Sequence, residues 1–117
     1  MRNFKELKIW QKGMDIAGNC YKIIAGFPKE EKFGLSAQIA KSGVSIPPNV
    51  AEGSSRKSEK DYSRFIEISL GSSFELETQL LIVQRVQFGN QELLAQTLTD
   101  VSEEQKMLQW FIGALNK

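Results

Sequence analysis

The apolar positions of residues 7–27 form two neighbouring stripes, and both have the three- and four-residue spacing of an α-helix. We expect such a helix to end before Pro28, because the residue that precedes a proline disfavours the α conformation. A single packing partner usually covers only one such stripe, so two adjacent stripes indicate a second partner. Helix 1 is therefore predicted to face both its own bundle and a second subunit, although burial deep in a monomer would also explain the pattern. One stripe contains Leu7, Trp10, Met14, Ala17, Tyr21 and Ile24, the other Ile9, Gly13, Ile16, Cys20, Ile23 and Phe27, and the third face Lys8, Lys12, Asp15, Asn19 and Lys22.

A second helix is predicted to begin at Pro28 and to run into residues 42–56, which contain two adjacent prolines and two glycines. Proline suits the first turn of a helix, and the acids that follow Pro28 suit the positive end of the helix dipole. Inside a helix, a proline removes a backbone hydrogen bond and costs roughly 3 kcal/mol. Because apolar residues continue through this stretch, we expect a helix that is kinked or briefly broken near Pro47 and Pro48 and is held in the core.

Four polar residues of the same stretch share one face if the helix continues beyond the prolines. We expect this face to bond to the backbone carbonyls that Pro47 and Pro48 leave without a donor. A ligand site is the alternative. Gly53, near the end of the stretch, suits a helix C-terminus. The four polar residues are Ser45, Asn49, Glu52 and Arg56, at steps of four, three and four.

A third helix is predicted over residues 58–87, with Ser58 as its N-cap and Asp61 three positions later. Its middle is rich in small residues, which let another backbone approach closely. We expect Gly71 and Ser72 to pack against the proline stretch, and Gly89 to form the C-cap. The apolar stripe of this helix includes Tyr62, Phe65, Ser69, Ser72, Leu76, Leu80 and Val83.

The last helix is predicted over residues 91–116, with a heptad-like seam that contains one polar member, Gln105. A lone polar residue in such a seam often fixes register or oligomeric state. Four helices with short connections predict one domain, 1–117, folded as an antiparallel up-down four-helix bundle that self-associates. The seam is formed by Leu94, Leu98, Val101, Gln105, Leu108, Ile112 and Leu115, and Met107, Trp110 and Phe111 widen its apolar face.

The composition offers little chemistry. The 117 residues include one cysteine, Cys20, which we expect in the core, and no histidine, the commonest metal ligand and general base. The sequence contains no glycine-rich phosphate loop and no catalytic motif of the metalloprotease or hydrolase kind. Glu52 could meet Glu75 or Glu77 across helices, and with Arg56 beside them we expect a buried salt bridge rather than an acid–base site.

We therefore expect no enzyme, no cofactor and no metal site. We also expect a cytoplasmic protein without a membrane span.

The net charge of +1 conceals an asymmetry between the two parts of the chain. Residues 1–64 contain 12 Lys and Arg against 7 Asp and Glu, whereas residues 65–117 contain 3 against 7. A basic half favours anionic partners, but complementary charges that meet within or between subunits would explain it equally well. The candidate nucleic-acid contacts are Lys8, Lys12, Lys22, Arg56, Lys57, Lys60 and Arg64.

Several short motifs resemble the four helix bundle protein family, which is named for open reading frames inside intervening sequences of bacterial 23S ribosomal RNA. The resemblance covers nearly the whole chain, and Pro48 departs from it because a small or polar residue usually follows the first proline. The motifs are Phe4–Leu7 with Trp10 and Gln11, Phe27–Glu30, Phe33–Leu35, Gln38 and Ile39, Ser45–Pro47, Asn49–Gly53, Arg56 and Gly71–Glu77.

The resemblance implies a ring-like homopentamer of four-helix bundles. A relative of this family, the accessory variability determinant of diversity-generating retroelements, binds nucleic acid and a reverse transcriptase through basic surface. Two functions therefore remain open for this chain. One is a non-enzymatic scaffold that binds RNA or DNA weakly and without sequence specificity. The other is a purely structural homo-oligomer or adaptor whose partner is a protein such as a reverse transcriptase.

Overall fold

The computed structural model describes residues 3–117, which form four long α-helices and no β-strand. The helices are α1 (Lys8–Ile24), α2 (Leu35–Ser54), α3 (Glu59–Val86) and α4 (Gln91–Leu115). Two short 3₁₀ turns, Phe4–Glu6 and Lys29–Glu31, precede α1 and α2. The predicted all-α fold of four helices is confirmed.

The beginning of the second helix differs from the prediction. Residues 29–31 form a separate 3₁₀ turn, and α2 begins only at Leu35. Gly34 separates the two, because its backbone (φ −104°, ψ −110°) is not helical. Pro28 therefore does not open α2, and α1 ends at Ile24, before the predicted boundary.

The proline stretch does not break the second helix. α2 runs without interruption from Leu35 to Ser54, with Pro47 and Pro48 inside it. Pro47 is buried, whereas Pro48 is exposed. Of the two predicted forms, kinked or broken, the break is absent, because packing of the surrounding residues in the core holds the helical conformation.

The ends of α3 and α4 are set by local hydrogen bonds. Ser58 caps α3 as predicted, since its Oγ accepts a hydrogen bond from the backbone N–H of Asp61 at 3.1 Å. Asn90 caps α4 in the same way. At the other end of α3 the C-cap is Gln87, in the left-handed conformation with φ 57°, and not Gly89. Gly89 also has a positive φ, 70°, but lies in the connection that follows.

All four helices contribute to two clusters of buried apolar side chains. The predicted seam of α4 and the predicted core position of Cys20 are both confirmed by this arrangement. One cluster contains Ile16, Cys20, Ile23, Ile39, Ile46, Leu76, Leu80, Val83, Leu94 and Val101, and the other contains Ile9, Val50, Tyr62, Ile66 and Leu108.

Within residues 3–117, α1 packs against α2 and α4, and α3 packs against the same two helices, whereas the backbones of α1 and α3 do not approach each other closely. The two helices therefore occupy diagonal positions in the bundle. None of the helices within residues 3–117 combines the length and the hydrophobicity that a membrane span requires. The same residues contain no grouping of Cys, Asp and Glu side chains that would hold a metal ion.

Candidate interaction surfaces

The three lysines predicted as nucleic-acid contacts on α1 have different surroundings. Lys8 begins the helix, Lys22 lies near its end, and both are exposed. Between them, the Nζ of Lys12 lies 2.6 Å from Oε2 of Glu103 and 3.5 Å from Oδ1 of Asp100. The bond to Glu103 raises the pKa of Lys12 and lowers that of Glu103. The lysine face of α1 is therefore interrupted by an ion pair with α4.

The other predicted contacts come together where α2 ends and α3 begins. We call Arg56, Lys57, Lys60 and Arg64 the basic cluster. The Cζ of Arg56 lies 4.5 Å from the centre of the Phe65 ring, and the Cζ of Arg64 lies 5.7 Å from the same ring. Both guanidinium groups thus share one aromatic side chain, a favourable arrangement for cations.

Acidic side chains are interleaved with the basic cluster. Arg56 Nη2 lies 2.8 Å from Glu52 Oε1, and Arg64 Nη2 lies 3.9 Å from Asp61 Oδ1. An open depression of about 400 Å³ beside the cluster has both charges in its lining: Lys60, Asp61, Ser63, Arg64, Glu67 and Asn116. The surface of this end of the bundle is therefore mixed in charge and not uniformly positive.

The polar face of α2 bonds to the helix backbone, but not to the carbonyls that were predicted. Ser45 donates its hydroxyl hydrogen to the carbonyl of Ser42 at 3.0 Å, and the side-chain amide of Asn49 donates to the carbonyl of Ser45 at 2.7 Å. The two prolines instead remove the donors for the carbonyls of residues 43 and 44. The prediction that this face bonds to the carbonyls freed by the prolines is therefore wrong. The side chains bond to the carbonyls of residues 42 and 45, which flank the freed ones.

The motif carboxylates have separate partners. Glu75 Oε1 accepts a 2.6 Å hydrogen bond from the hydroxyl of Ser42, which links α3 to α2. Glu77 Oε1 accepts a 3.1 Å bond from the amide of Gln105, which links α3 to α4. Glu52 pairs instead with Arg56, which lies just after the end of α2, so its salt bridge is at the surface and not buried. The predicted meeting of Glu52 with Glu75 or Glu77 is therefore not found, because those two carboxylates bond to Ser42 and Gln105.

Two glycines have roles that differ from those predicted. Gly53 does not end α2 through a left-handed conformation; a Cβ there would lie 2.9 Å from Phe65 Cβ and 3.0 Å from Tyr62 Cδ1. It is therefore needed for the close approach of α2 and α3. Gly71 is exposed, and a Cβ there would meet no atom of the chain within 4 Å. The small residues that do face the bundle interior are Ser69 and Ser73, which are buried, while Ser72 is half-buried.

Glu104 has unusual surroundings for a titratable side chain, and its sequence position was not predicted to be a site. Glu104 has no exposed surface, and neither oxygen of its carboxyl group has a hydrogen-bond partner. Burial raises the pKa of this group to about 8. The position could have been found from the seam of α4, because residue 104 lies three positions after Val101 and four before Leu108, on the inner face of the helix.

Apolar side chains remain open on two sides of the bundle. The second stripe of α1 is buried, but the first exposes Met14 and Tyr21, at 47% and 56% of their surface. On α3 the exposed apolar residues are Ile68, Phe74, Leu81, Ile82 and Val86. We call these the α1 face and the α3 face, and they point in different directions because the two helices lie on a diagonal.

A third apolar surface lies where α1 begins and α4 ends. A groove of about 270 Å³ is lined there by Leu7, Lys8, Ile9, Met107, Trp110 and Phe111. Trp110 leaves 73% of its surface exposed. The predicted widening of the α4 apolar face is therefore present, but it extends to the surface of the chain.

The fold is that of an all-α protein built from a bundle of four helices. The model of the 23S rRNA-intervening sequence protein family matches residues 5–110, and the chain belongs to this family. The resemblance inferred from the motifs is thereby confirmed. None of the curated proteins matches the sequence.

The chain is also similar to a crystal structure of a protein with unknown function from the S23 ribosomal protein family of Bacteroides thetaiotaomicron VPI-5482. The two share 26% sequence identity and superimpose with a TM-score of 0.79. The match covers 89% of this chain and 97% of the other. The helical bundle is therefore common to both proteins over nearly their whole length.

Proposed function

We propose that the protein is a non-enzymatic scaffold, an antiparallel up-down bundle that assembles into a ring of five identical subunits. The observation that supports it is the pair of unpartnered apolar faces on α1 and α3. A cyclic ring needs two different complementary surfaces on every subunit, whereas a two-fold dimer needs only one. The number five comes from the family resemblance.

The order of contacts supports the up-down arrangement. A Cβ on Gly13 would lie 3.2 Å from Ile46 Cγ2, whereas Cys20, further along α1, faces Gly43, further back along α2. The ring of Tyr62, near the start of α3, packs at a tilt against the ring of Phe111, near the end of α4, with centroids 5.3 Å apart. Neighbouring helices with opposite directions also suit the short connections between them.

The first test is the mass of the protein in solution, measured by light scattering after size exclusion. We expect a single species of about five times the 13.2 kDa of one chain. A monomer at micromolar concentration would overturn the proposal.

The second test separates a ring from a two-fold dimer by disabling one face at a time. Tyr21→Glu on the α1 face and Ile82→Glu on the α3 face should each give monomers, because a buried charge without a partner is costly. An equimolar mixture of the two variants should restore one intact contact and give a dimer. Gln84→Glu, at an exposed polar position of α3, is the control and should leave the assembly unchanged. If the mixture stays monomeric although both variants are folded, the heterologous arrangement fails.

A second candidate function is weak association with RNA or DNA through the basic cluster. It is favoured by the way Arg56 and Arg64 meet at Phe65, which brings two cations of the cluster to one aromatic side chain. Repetition around a ring would raise the effective concentration of these sites. The interleaved acids keep the binding weak, and without side chains placed to read base edges it is driven by phosphate contacts.

This function is tested by filter binding of a structured RNA and of a DNA duplex at about 50 mM and 200 mM salt, since phosphate-driven complexes weaken steeply over that range. Changing Arg56, Lys57, Lys60 and Arg64 together to Ala should abolish binding and leave the assembly intact. Binding by the quadruple variant as strong as that of the parent, or no binding at the lower salt, would refute the nucleic-acid function. The protein would then be a structural oligomer or an adaptor for a protein partner.

A further inference from the structure

The side chain of Glu104 is fully buried where α4 packs against α1. Its Oε2 is 3.2 Å from the position that a Cβ on Gly13 of α1 would take. The same position is 3.2 Å from Cγ2 of Ile46 and 3.5 Å from Cβ of Pro47, both on α2. Gly13 thus leaves room for the carboxyl group of Glu104, and the neighbouring groups at this point are apolar.

Charged groups approach the surroundings of Glu104 from α1 and α3. On α1, Lys12 is next to Gly13 in the chain and bonds to Asp100 and Glu103 of α4, on the outer side of the contact between the two helices. On α2, the neighbours Ile46 and Pro47 carry no charge. On α3, Glu77 bonds to Gln105, the residue that follows Glu104.

An isolated carboxylate without hydrogen bonds is very costly in an apolar interior, so that such a group stays protonated or reaches water. Burial is the main cause that raises the pKa of Glu104 to about 8, and the charge of Lys12 opposes it. We propose that Glu104 is neutral while α1 and α4 are packed together, and that its ionisation opens the contact between these two helices. The ionised carboxylate moves outward to the ammonium group of Lys12, which already lies at the rim of this contact.

The direction of the pH effect follows from the two states of the group. The pKa of Glu104 is about 8 in the folded protein, and its ordinary value is 4.5. Between these values the folded protein holds one proton more than the unfolded chain, so its stability falls as the pH rises. The stabilisation is complete below pH 4.5 and is lost as the pH rises through about 8. For one proton, the unfolding constant rises by up to about tenfold per pH unit within this window.

The proposal is tested first by urea unfolding between pH 5 and pH 9, with the association state held constant. The free energy of unfolding of the wild-type protein should fall up to about pH 8 with the slope of one proton, and Glu104→Gln should remove that slope. Glu103→Gln is the matched control: the residue is adjacent but exposed, and its pKa is lowered and not raised, so the slope should remain. In Lys12→Met, Glu104 should ionise at a higher pH in the folded protein, because the charge of Lys12 favours the ionised form of Glu104. If Glu104→Gln does not fold, Glu104→Met provides the same comparison.

Hydrogen exchange then distinguishes local opening from unfolding of the whole bundle. Between pH 6 and pH 9, after correction for intrinsic exchange rates, the amides of residues 9–16 and 101–108 should lose protection at least tenfold more than those of residues 62–69. The Glu104→Gln variant should show no such difference. A wild-type protein without a pH slope, a slope that persists in Glu104→Gln, or an equal loss of protection in all helices would overturn the proposal. None of these results depends on the ring or on nucleic acid.

Discussion

The hydroxyl of Ser69 on α3 donates a 2.8 Å hydrogen bond to the carbonyl of Ile46 on α2, and both residues are fully buried. Ile46 immediately precedes the two prolines. The small-residue region of α3 therefore does contact the proline stretch, as the sequence indicated, but through Ser69 and not through Gly71. A serine suits this position because it is small enough for close packing and can donate to a buried carbonyl.

Ser69→Ala is expected to destabilise the folded chain by about 1 kcal/mol, because the buried carbonyl of Ile46 loses a donor. Ser72→Ala is the matched control, since Ser72 is half-buried on the same helix. It should change the free energy of unfolding by less than about 0.5 kcal/mol. Urea denaturation of both variants measures the difference, and equal effects would contradict the role assigned to Ser69.

Substitutions of two helical glycines by alanine should have opposite effects. Gly53→Ala would place a Cβ 2.9 Å from Phe65 Cβ, so the helices must separate. We expect a loss of about 1–3 kcal/mol from overpacking. At Gly71 a Cβ meets nothing within 4 Å, and alanine there should stabilise the exposed helix by up to about 1 kcal/mol. Thermal and urea unfolding would measure both, and a loss at both positions would refute the contrast.

Gln105 is expected to leave the assembly unchanged when it is replaced. Its amide donates to the carbonyl of Ser73 at 3.4 Å and to Glu77 Oε1 at 3.1 Å, so both bonds remain inside the chain. Gln105→Leu should therefore lower stability by about 1 kcal/mol, because buried acceptors lose their donor. The mass from light scattering should not change. A different oligomeric state in this variant would instead support the role in register that the seam suggested.

Cys20 should be almost unreactive in the folded protein. It has no exposed surface, and burial raises the pKa of its thiol to about 12. Because the thiolate is the reactive form, labelling with a disulfide reagent at pH 8 should be slow and limited by opening of the bundle. The same reagent in urea should label one thiol per chain at once. Rapid labelling under native conditions would show that Cys20 is not enclosed.

The sequence by itself determined the features that depend on neighbours along the chain. Ser58 caps α3 and the seam of α4 faces the core because capping and the periodicity of a helix are local properties. The two stripes of α1 likewise predicted a face toward the bundle, which the structure confirms for the stripe that contains Ile16 and Cys20. The family followed from short motifs of adjacent residues.

Only the tertiary structure decided which side chains meet across helices. Gly53 and Gly71 have the same local helical setting, yet α3 approaches one and leaves the other open. Glu103 and Glu104 are consecutive, but one bonds to Lys12 at the surface while the other is enclosed against Gly13. A helix turns by about 100° per residue, so the relative rotation of two packed helices decides which neighbour is buried. That rotation depends on contacts between residues far apart in the sequence, so it cannot be predicted from the properties of a single helix.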